Sequence, residues 1–445
     1  MSFQKPRLSF MQIINMNVGF FGIQYSFGLQ QSAVNPIYDF LGASPDQIPI
    51  LNLAGPMTGL LIQPIIGALS DKTWHPRWGR RKPYFFIGAV CCSLTLFLFP
   101  FSSSLWMAAG LLWILDAGNN TAMEPYRAFI ADKLPQEQHA VGFLSQSFFT
   151  GLGITLANLS LFVFQQYFPQ GTGKIPLWVY GSFFLGSFCS IASVLWSIST
   201  TPEIPPTAEE LAALRAHKKG FVETFLEIVT AIKEMPTVMW QLALVYLFQW
   251  YALFCYWQNA SKSIAQSVWH TTVGENKELY EKAVGWTGLV NGWYNIVTFL
   301  SAFGLVWAAN KFTPKWVHFG CLVMAGIGLI IFPTIENKYL LFAPMTGFGI
   351  AWASMMGIPY LMVVGSIPKE KYGVYMGILN MMIVIPMLFQ NITFGFILKH
   401  FLNNNSGTAI SFAGILLLIA AAATALIKPA PTTTDSAPVL IALGH

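Results

Sequence analysis

Twelve separate stretches of this chain are apolar over a length that can cross a bilayer, which limits its fold more than any other feature. A spanning segment needs about 20 mainly apolar residues, and its backbone polar groups must bond internally, as they do in a helix. The stretches run 9–38, 48–70, 84–102, 105–133, 139–168, 176–200, 236–266, 283–309, 315–334, 339–367, 373–400 and 407–427. Hydrophobic residues make up 54% of the chain and charged residues 10%, against roughly a quarter charged in soluble domains. The surplus apolar surface must face lipid. The expected fold is an all-α membrane protein with twelve transmembrane helices in two six-helix halves.

The charges orient these spans. With both termini placed inside, seventeen of the 24 Lys and Arg fall on the cytoplasmic side. Lys174, Lys262, Lys277, Lys282, Lys338 and Lys399 fall outside, and Arg127 lies within a span. Basic residues concentrate in cytoplasmic loops, so this asymmetry sets the topology of a multi-pass protein in the cell membrane. The net charge of +5 is then a topology signal. A nucleic-acid partner would demand a basic patch on a soluble face, and the partner here is the lipid bilayer. Residues 1–10 lead into the first span without a small-residue cleavage site, so this span reads as a retained helix. Cys91, Cys92, Cys189, Cys255 and Cys321 all fall in spans, with no CxxC pair and no His at ligand spacing. They read as small apolar filler, and no metal or cofactor is expected. Sequons at Asn158, Asn259 and Asn391 fall in or beside apolar spans, beyond the reach of a glycosylating enzyme.

The chain divides into an N-terminal half, 1–200, a cytoplasmic linker, 201–235, a C-terminal half, 236–428, and a disordered tail, 429–445. In the linker Leu211, Leu214, Phe221, Phe225, Ile228 and Ile232 recur at helical spacing, as in an amphipathic helix on the membrane surface. The halves resemble each other. Pro125-Tyr126, Leu134-Pro135-Gln136-Glu137 and Gly142-Phe143-Leu144 are echoed by Pro359-Tyr360, Ile367-Pro368-Lys369-Glu370 and Gly377-Ile378-Leu379. Transporters built from repeated halves hold substrate near the bilayer midplane at the repeat interface.

Asp116 stands in the middle of span four, between Leu105–Leu115 and Ala117–Met123. An acid at that depth is costly unless neutral, paired or facing a wet cavity, so such residues mark transport paths and proton relays. Burial favours the uncharged form of a carboxyl, and a carboxyl in such a place can hold a proton in one access state and release it in another. At about 100° per residue, Asn120, Met123 and Arg127 fall within about 40° of Asp116 on the helix. Asn119 and Glu124 flank that stripe. Glu124 and Arg127, three residues apart, can pair and suit the cytoplasmic gate. The alternative for Asp116 is a purely structural hydrogen bond between helices.

Between spans two and three lie Gly67-Ala-Leu-Ser70-Asp71-Lys72 and Gly79-Arg80-Arg81-Lys82. Gly67 would permit close helix contact, Asp71 suits a helix N-terminus, and Arg80 and Arg81 can bridge to acids such as Asp132. Asp71, Arg80, Arg81, Arg127 and Asp132 are the expected gating set. Amides recur along several spans: Gln24, Gln30, Gln31, Asn35, Gln63, Gln249, Gln258, Asn259, Asn291, Asn295, Asn380, Gln390 and Asn391. An amide donates and accepts at once, as adjacent sugar hydroxyls require, and Trp250, Tyr251, Tyr256, Trp257 and Trp293 offer flat apolar faces. Helix–helix hydrogen bonds and interfacial belts would use the same residue types.

The loop spacing resembles the signature of the major facilitator superfamily, with Thr73–Trp78 as an insertion. Leu53–Asp71, Gly79–Pro83, Trp113–Asn120 with Pro125, Arg127 and Asp132, and Met376–Pro386 resemble spans two, four and eleven of plant sucrose transporters. The resemblance places the chain with the glycoside–pentoside–hexuronide transporters. It implies proton-coupled import of a disaccharide such as sucrose, maltose or a glucoside, by alternating access. It makes Asp116 the proton-coupling residue and Asn120 its neighbour in binding. Glu124 stands where the plant pattern has glycine, and is a second candidate for coupling. The expected sugar site comprises Asp116, Asn119, Asn120, Gln24, Gln31, Gln63, Gln249, Trp250, Tyr256 and Asn380, in a chain acting as a monomer. Uncoupled or sodium-coupled transport and a sugar-sensing receptor are the alternatives. The chain has no nucleophile elbow or phosphate-binding glycine loop, and an enzyme is not expected.

Overall fold

A computed structural model describes residues 5–168, 173–203, 205, 229–364 and 372–428. Among them are twelve helices of 17 residues or more. They are α1 (Phe10–Phe40), α2 (Ala54–Lys72), α3 (Lys82–Leu98), α4 (Leu105–Lys133), α5 (His139–Tyr167) and α6 (Leu177–Thr200), then α7 (Thr237–Val268), α8 (Lys277–Lys311), α9 (Pro314–Ile331), α10 (Phe342–Val364), α11 (Tyr372–His400) and α12 (Ser406–Ala425). Nine spans among the described residues are long and apolar enough to cross a membrane. The remaining long helices are α1, α4 and α8, whose buried polar side chains include Gln24, Asp116 and Asn291.

Local chemistry sets the helix ends. Ser9 caps α1, its hydroxyl accepting from Gln12 N while Gln12 Oε1 accepts from Ser9 N, a reciprocal capping box. Ser104 accepts from Met107 N to open α4. The second span, expected over 48–70, is found at Ile48–Gly67 but holds two helices. A one-turn helix, Ile48–Leu51, ends at Asn52, whose side chain bonds the Ile48 carbonyl at 2.8 Å, and α2 starts afresh at Ala54. Helix α8 begins at Lys277 instead of 283, because Asn276 caps it and Glu278 sits in its first turn. Lys277 and Lys282, expected in an outer loop, therefore lie in the helix. The amphipathic linker residues through Ile228, and the tail 429–445, lie outside the described residues.

The chain forms two compact units. Among the described residues the first holds 5–42 and 57–205, and the second 43–56 and 229–428. In the first unit α1 packs on α5 and α6, and α3 packs on α4 and α6. In the second, α7 packs on α11 and α12, and α9 on α10 and α12. Adding six to each helix number in the first list yields the second, so the packing repeats along with the short sequence echoes. One pairing differs. Helix α8 packs closely on α10, whereas its counterpart α2 lacks that close approach to α4. A Cβ at Gly67 would meet nothing within 4 Å, so the tight helix contact expected there is not formed. The segment 43–56 joins the second unit by placing Ile48–Leu51 on α11, with Asn391 Nδ2 donating to Asn52 O at 3.3 Å.

Helix α4 is fixed from the α3 side by two glycines. A Cβ on Gly88 would lie 2.6 Å from Gly118 O, and one on Gly118 would lie 2.9 Å from Cys92 Sγ. Overpacking such a seam costs about 1–3 kcal/mol. Gly118→Val is expected to lower the thermal midpoint of the purified protein by several degrees. Gly110→Ala on the same helix, where a Cβ meets open space, leaves it unchanged or raises it. Equal effects of the two would contradict this packing.

Candidate functional site

Asp116 lies in the first unit, 2% exposed, with donors on both carboxylate oxygens. Gln30 Nε2, from α1, donates to Oδ1 at 2.5 Å. The Thr58 hydroxyl, from α2, and Asn120 Nδ2, one turn along α4 at 3.0 Å, donate to Oδ2. Hydrogen bonds to a charged group are each worth about 1.5–3 kcal/mol, and they offset part of the cost of burying a carboxylate. A second tier holds the donors in place. Asn119 Nδ2 reaches Gln30 Oε1 at 3.3 Å, Gln63 Nε2 reaches Asn120 Oδ1 at 2.6 Å, and Cys92 Sγ–H donates to Asn119 Oδ1 at 3.1 Å. Three helices thus meet at the carboxyl, and α3 reaches the tier behind it.

Of the residues expected at this site, Asp116, Asn119, Asn120 and Gln63 come together. Gln24 is buried nearby on α1 and donates to Met123 Sδ at 3.9 Å instead. Gln31 is half-buried, and no hydrogen bond joins it to this network among the described residues. Thr58 was not expected at all. A threonine in an apolar span carries no signal until its neighbours across the fold are known. Gln30 was expected only as one amide among many, and the structure gives it a direct bond to the acid.

Glu124 and Arg127 pair at 3.6 Å, partly exposed, and Arg127 Nη2 also meets Met123 Sδ at 3.6 Å. Neither is bonded to Asp116 in the described contacts. The other expected gating residues meet at the ends of α3, α4 and α6. Arg81, 4% exposed, donates to Asp132 at 2.7 Å and to Ser70 Oγ at 2.6 Å, and Arg80 Nε donates to Ser70 O at 3.2 Å. The side chain of Asp71 lies outside the described residues.

The organising residue of this cluster is one the sequence patterns passed over. Glu203, just beyond α6, accepts from the backbone N–H groups of Arg80, Arg81 and Lys82 at 2.7, 2.9 and 2.9 Å. These are orphan donors at the start of α3, where the helix dipole also favours an anion. Gly79 is required twice over: its φ is +74°, and a Cβ there would strike the Glu203 carboxylate. Lys82 Nζ and Lys133 Nζ bond the carbonyls of Ile198 and Pro202 at 2.8 and 2.6 Å, tying the end of α6 down further.

The second unit carries its own polar core. Most of its amides are spent on bonds between helices or back to their own helix. Gln258 exchanges bonds with Gln390 and donates to Asn391 Oδ1, Asn259 bonds Cys255 O, and Asn295 bonds Asn291 O. Tyr256 donates to Asn291 Oδ1 at 2.9 Å, joining α7 to α8. Gln249 differs. It is fully buried on α7, and both amide atoms lack a partner among the described residues, as does Trp250 Nε1 beside it. Asn380 is half-buried on α11. His318, missed by the sequence patterns, is buried on α9 with Nδ1 2.8 Å from Ser354 Oγ.

A family description, Major Facilitator Superfamily, matches residues 16–390. The chain belongs to the Major Facilitator Superfamily. It is a multi-pass membrane transporter rather than an enzyme. It is 23% identical to "Sucrose transport protein SUT5" of Oryza sativa, over 89% of this chain and 85% of that one. It is 24% identical to "Sucrose transport protein SUC4" of Arabidopsis thaliana, over 92% of this chain and 90% of the relative. It is also 25% identical to the "General alpha-glucoside permease" of Schizosaccharomyces pombe, over 56% of this chain and 47% of the permease. The resemblance to plant sucrose transporters therefore extends well beyond the spans that first suggested it. Among solved structures, the nucleoside transporter NupG superposes with a TM-score of 0.70 at 13% identity, covering 94% of this chain and 99% of that one. A D-xylose–proton symporter superposes with a TM-score of 0.66 at 15% identity, covering 95% and 98%. Both show the fold of this superfamily transporter.

Glu203→Ala strips three backbone amides of their acceptor. Hydrogen exchange at residues 80–82 of the purified transporter is expected to quicken at least tenfold, about the effect of losing 1.4 kcal/mol of local protection. Unchanged exchange would show that the carboxylate does not hold the start of α3.

Proposed function

We propose that this transporter moves a disaccharide or glucoside (sucrose, maltose or a related glucoside) together with a proton, by alternating access, with Asp116 as the proton carrier. The observation that carries this is the donor nest around a buried carboxyl in a chain whose relatives are named for sucrose and α-glucosides. Asn120, bound to Asp116, and Gln63 and Asn119 in the tier beyond are the sugar-side residues of the first unit. Gln249, with Trp250 beside it, is the corresponding donor–acceptor of the second. Tyr256, Asn380, Gln24 and Gln31 complete the proposed set. Protonation neutralises Asp116, and a neutral carboxyl can be enclosed in a dry, closed state at far smaller cost than a charged one.

The groups around Asp116 support proton over sodium. A bound cation is held by oxygen atoms turned toward it, whereas Asp116 is met by N–H and O–H donors, and the Gln30 and Asn120 amide oxygens accept from other residues. The proposed gate is the Arg80–Arg81–Asp132 cluster with Asp71, and the Glu124–Arg127 pair. The proposed setting is the cell membrane with both termini cytoplasmic, the chain acting as a monomer.

Asp116→Asn is expected to abolish accumulation of labelled sucrose, maltose and aryl glucosides against a gradient, with uptake driven by an acid outside falling at least tenfold. Accumulation in vesicles equal to that of the parent protein would sink the proposal. Gln249→Leu separates binding from folding. Replacing an unpartnered buried amide with an apolar side chain is neutral or stabilising, so thermal stability should hold or rise while the sugar concentration for half-maximal uptake rises about tenfold. Normal sugar affinity in that variant would remove Gln249 from the site.

A further inference from the structure

The donors around Asp116 are of two kinds. Gln30 and Asn120 approach through amide nitrogens, at 2.5 and 3.0 Å, and Thr58 through a hydroxyl. Each amide is pinned by its own oxygen, Gln30 Oε1 by Asn119 at 3.3 Å and Asn120 Oδ1 by Gln63 at 2.6 Å. An amide nitrogen donates and cannot accept. When Asp116 becomes an acid, its new O–H needs an acceptor, and either amide would have to turn over and give up its outer bond to provide one. A hydroxyl donates and accepts through the same oxygen. Thr58 Oγ1 also accepts from Asn120 Nδ2 at 3.1 Å, which keeps that oxygen beside the carboxyl when its proton rotates.

We propose that Thr58 is the positioning residue for proton coupling: its hydroxyl donates to the charged Asp116 and reverses to accept from the protonated one. This rests on the assignment of Asp116 as the proton carrier. The reversal is felt by α2, which lacks the close approach to α4 that its counterpart α8 makes to α10. A Cβ at Gly55, Gly59 or Gly67 of α2 meets nothing within 4 Å, so the Thr58 and Gln63 contacts are prominent among the ties of α2 to α4.

No competing charge faces the carboxyl among the described contacts. From α1 it meets Gln30, and from α2 Thr58, both uncharged. The Cys92 thiol of α3 is the titratable group that faces it, and it is occupied with Asn119. The titratable residues of α5, His139 and Tyr167, sit at its two ends. On α4 itself Glu124 and Arg127 are paired with each other, two turns or more away.

The test is an infrared pH titration of the purified full-length transporter in liposomes, with the Asp116 carboxylic-acid band assigned by its loss in Asp116→Asn. Thr58→Val removes a strong bond to the charged form and a weaker one to the protonated form, so on balance it favours the proton. The band's midpoint is expected to move to higher pH by about one unit, and the pH profile of labelled-sucrose uptake should move with it. Thr58→Ser restores the hydroxyl and should bring the midpoint back toward the parent value. An unmoved midpoint in Thr58→Val, or a shift in Thr58→Ser as large as in Thr58→Val, overturns the proposal. Should Thr58→Val fail to reach the membrane, Thr58→Ala carries the same comparison. Failure of the underlying assignment would show separately, as proton-driven accumulation that survives Asp116→Asn.

Discussion

A carboxyl group in hydrocarbon must be neutral, hydrogen-bonded or wet, and the first unit is arranged around meeting that demand at Asp116. Gln30 from α1, Thr58 from α2 and Asn120 from α4 each give it a hydrogen bond. Asn119, Gln63 and Cys92 hold those donors in turn. Such a nest stabilises a charge without fixing it with a counter-ion. A buried arginine partner would lock the acid in its ionised form. Donors alone leave the balance between acid and carboxylate open to change, which is what a carrier of protons requires.

The end of α6 is secured by a different principle. Glu203 uses helix chemistry, satisfying three backbone donors at the start of α3, while Arg81 turns to Asp132 at the end of α4. Three helices are joined there by the Arg81–Asp132 ion pair and by Lys82 and Lys133, which bond backbone carbonyls at the end of α6. Among the described residues no ion pair faces Asp116. An ion pair and backbone bonds at one level, and a carboxyl met only by uncharged donors at the other, suit the proposed cycle, which must hold one arrangement firmly and yet leave it.

Much of this was legible in the chain. The apolar stretches located the twelve helices, Asp116 announced itself by its cost, and the short echoes around Pro125 and Pro359 pointed to a repeat that the packing of α1–α6 and α7–α12 displays. The Gly79-Arg-Arg-Lys loop was marked by its charges. What could not be read were partners brought together only by folding. Thr58 and Gln30 lie 58 and 86 residues from Asp116 in the chain, and neither is an unusual residue for its own helix. Glu203 sits in a proline-rich stretch that looks like a plain helix end. The break at Asn52 and the early start of α8 depend on single capping side chains, which hydropathy does not weigh. Among the amides, composition could not separate those spent between helices, such as Gln258 and Gln390, from Gln249, which is unpartnered among the described residues.

The central claim is that sugar and proton move together through a cycle that turns on Asp116. It is tested most directly by measuring proton movement itself, in sodium-free proteoliposomes with a pH-sensitive dye and no imposed gradient. Adding sucrose, maltose or an aryl glucoside to the outside should alkalinise the medium for at least one of these sugars, in proportion to the sugar taken up. Uptake of sugar with no accompanying proton movement, or a requirement for added sodium, would contradict the account.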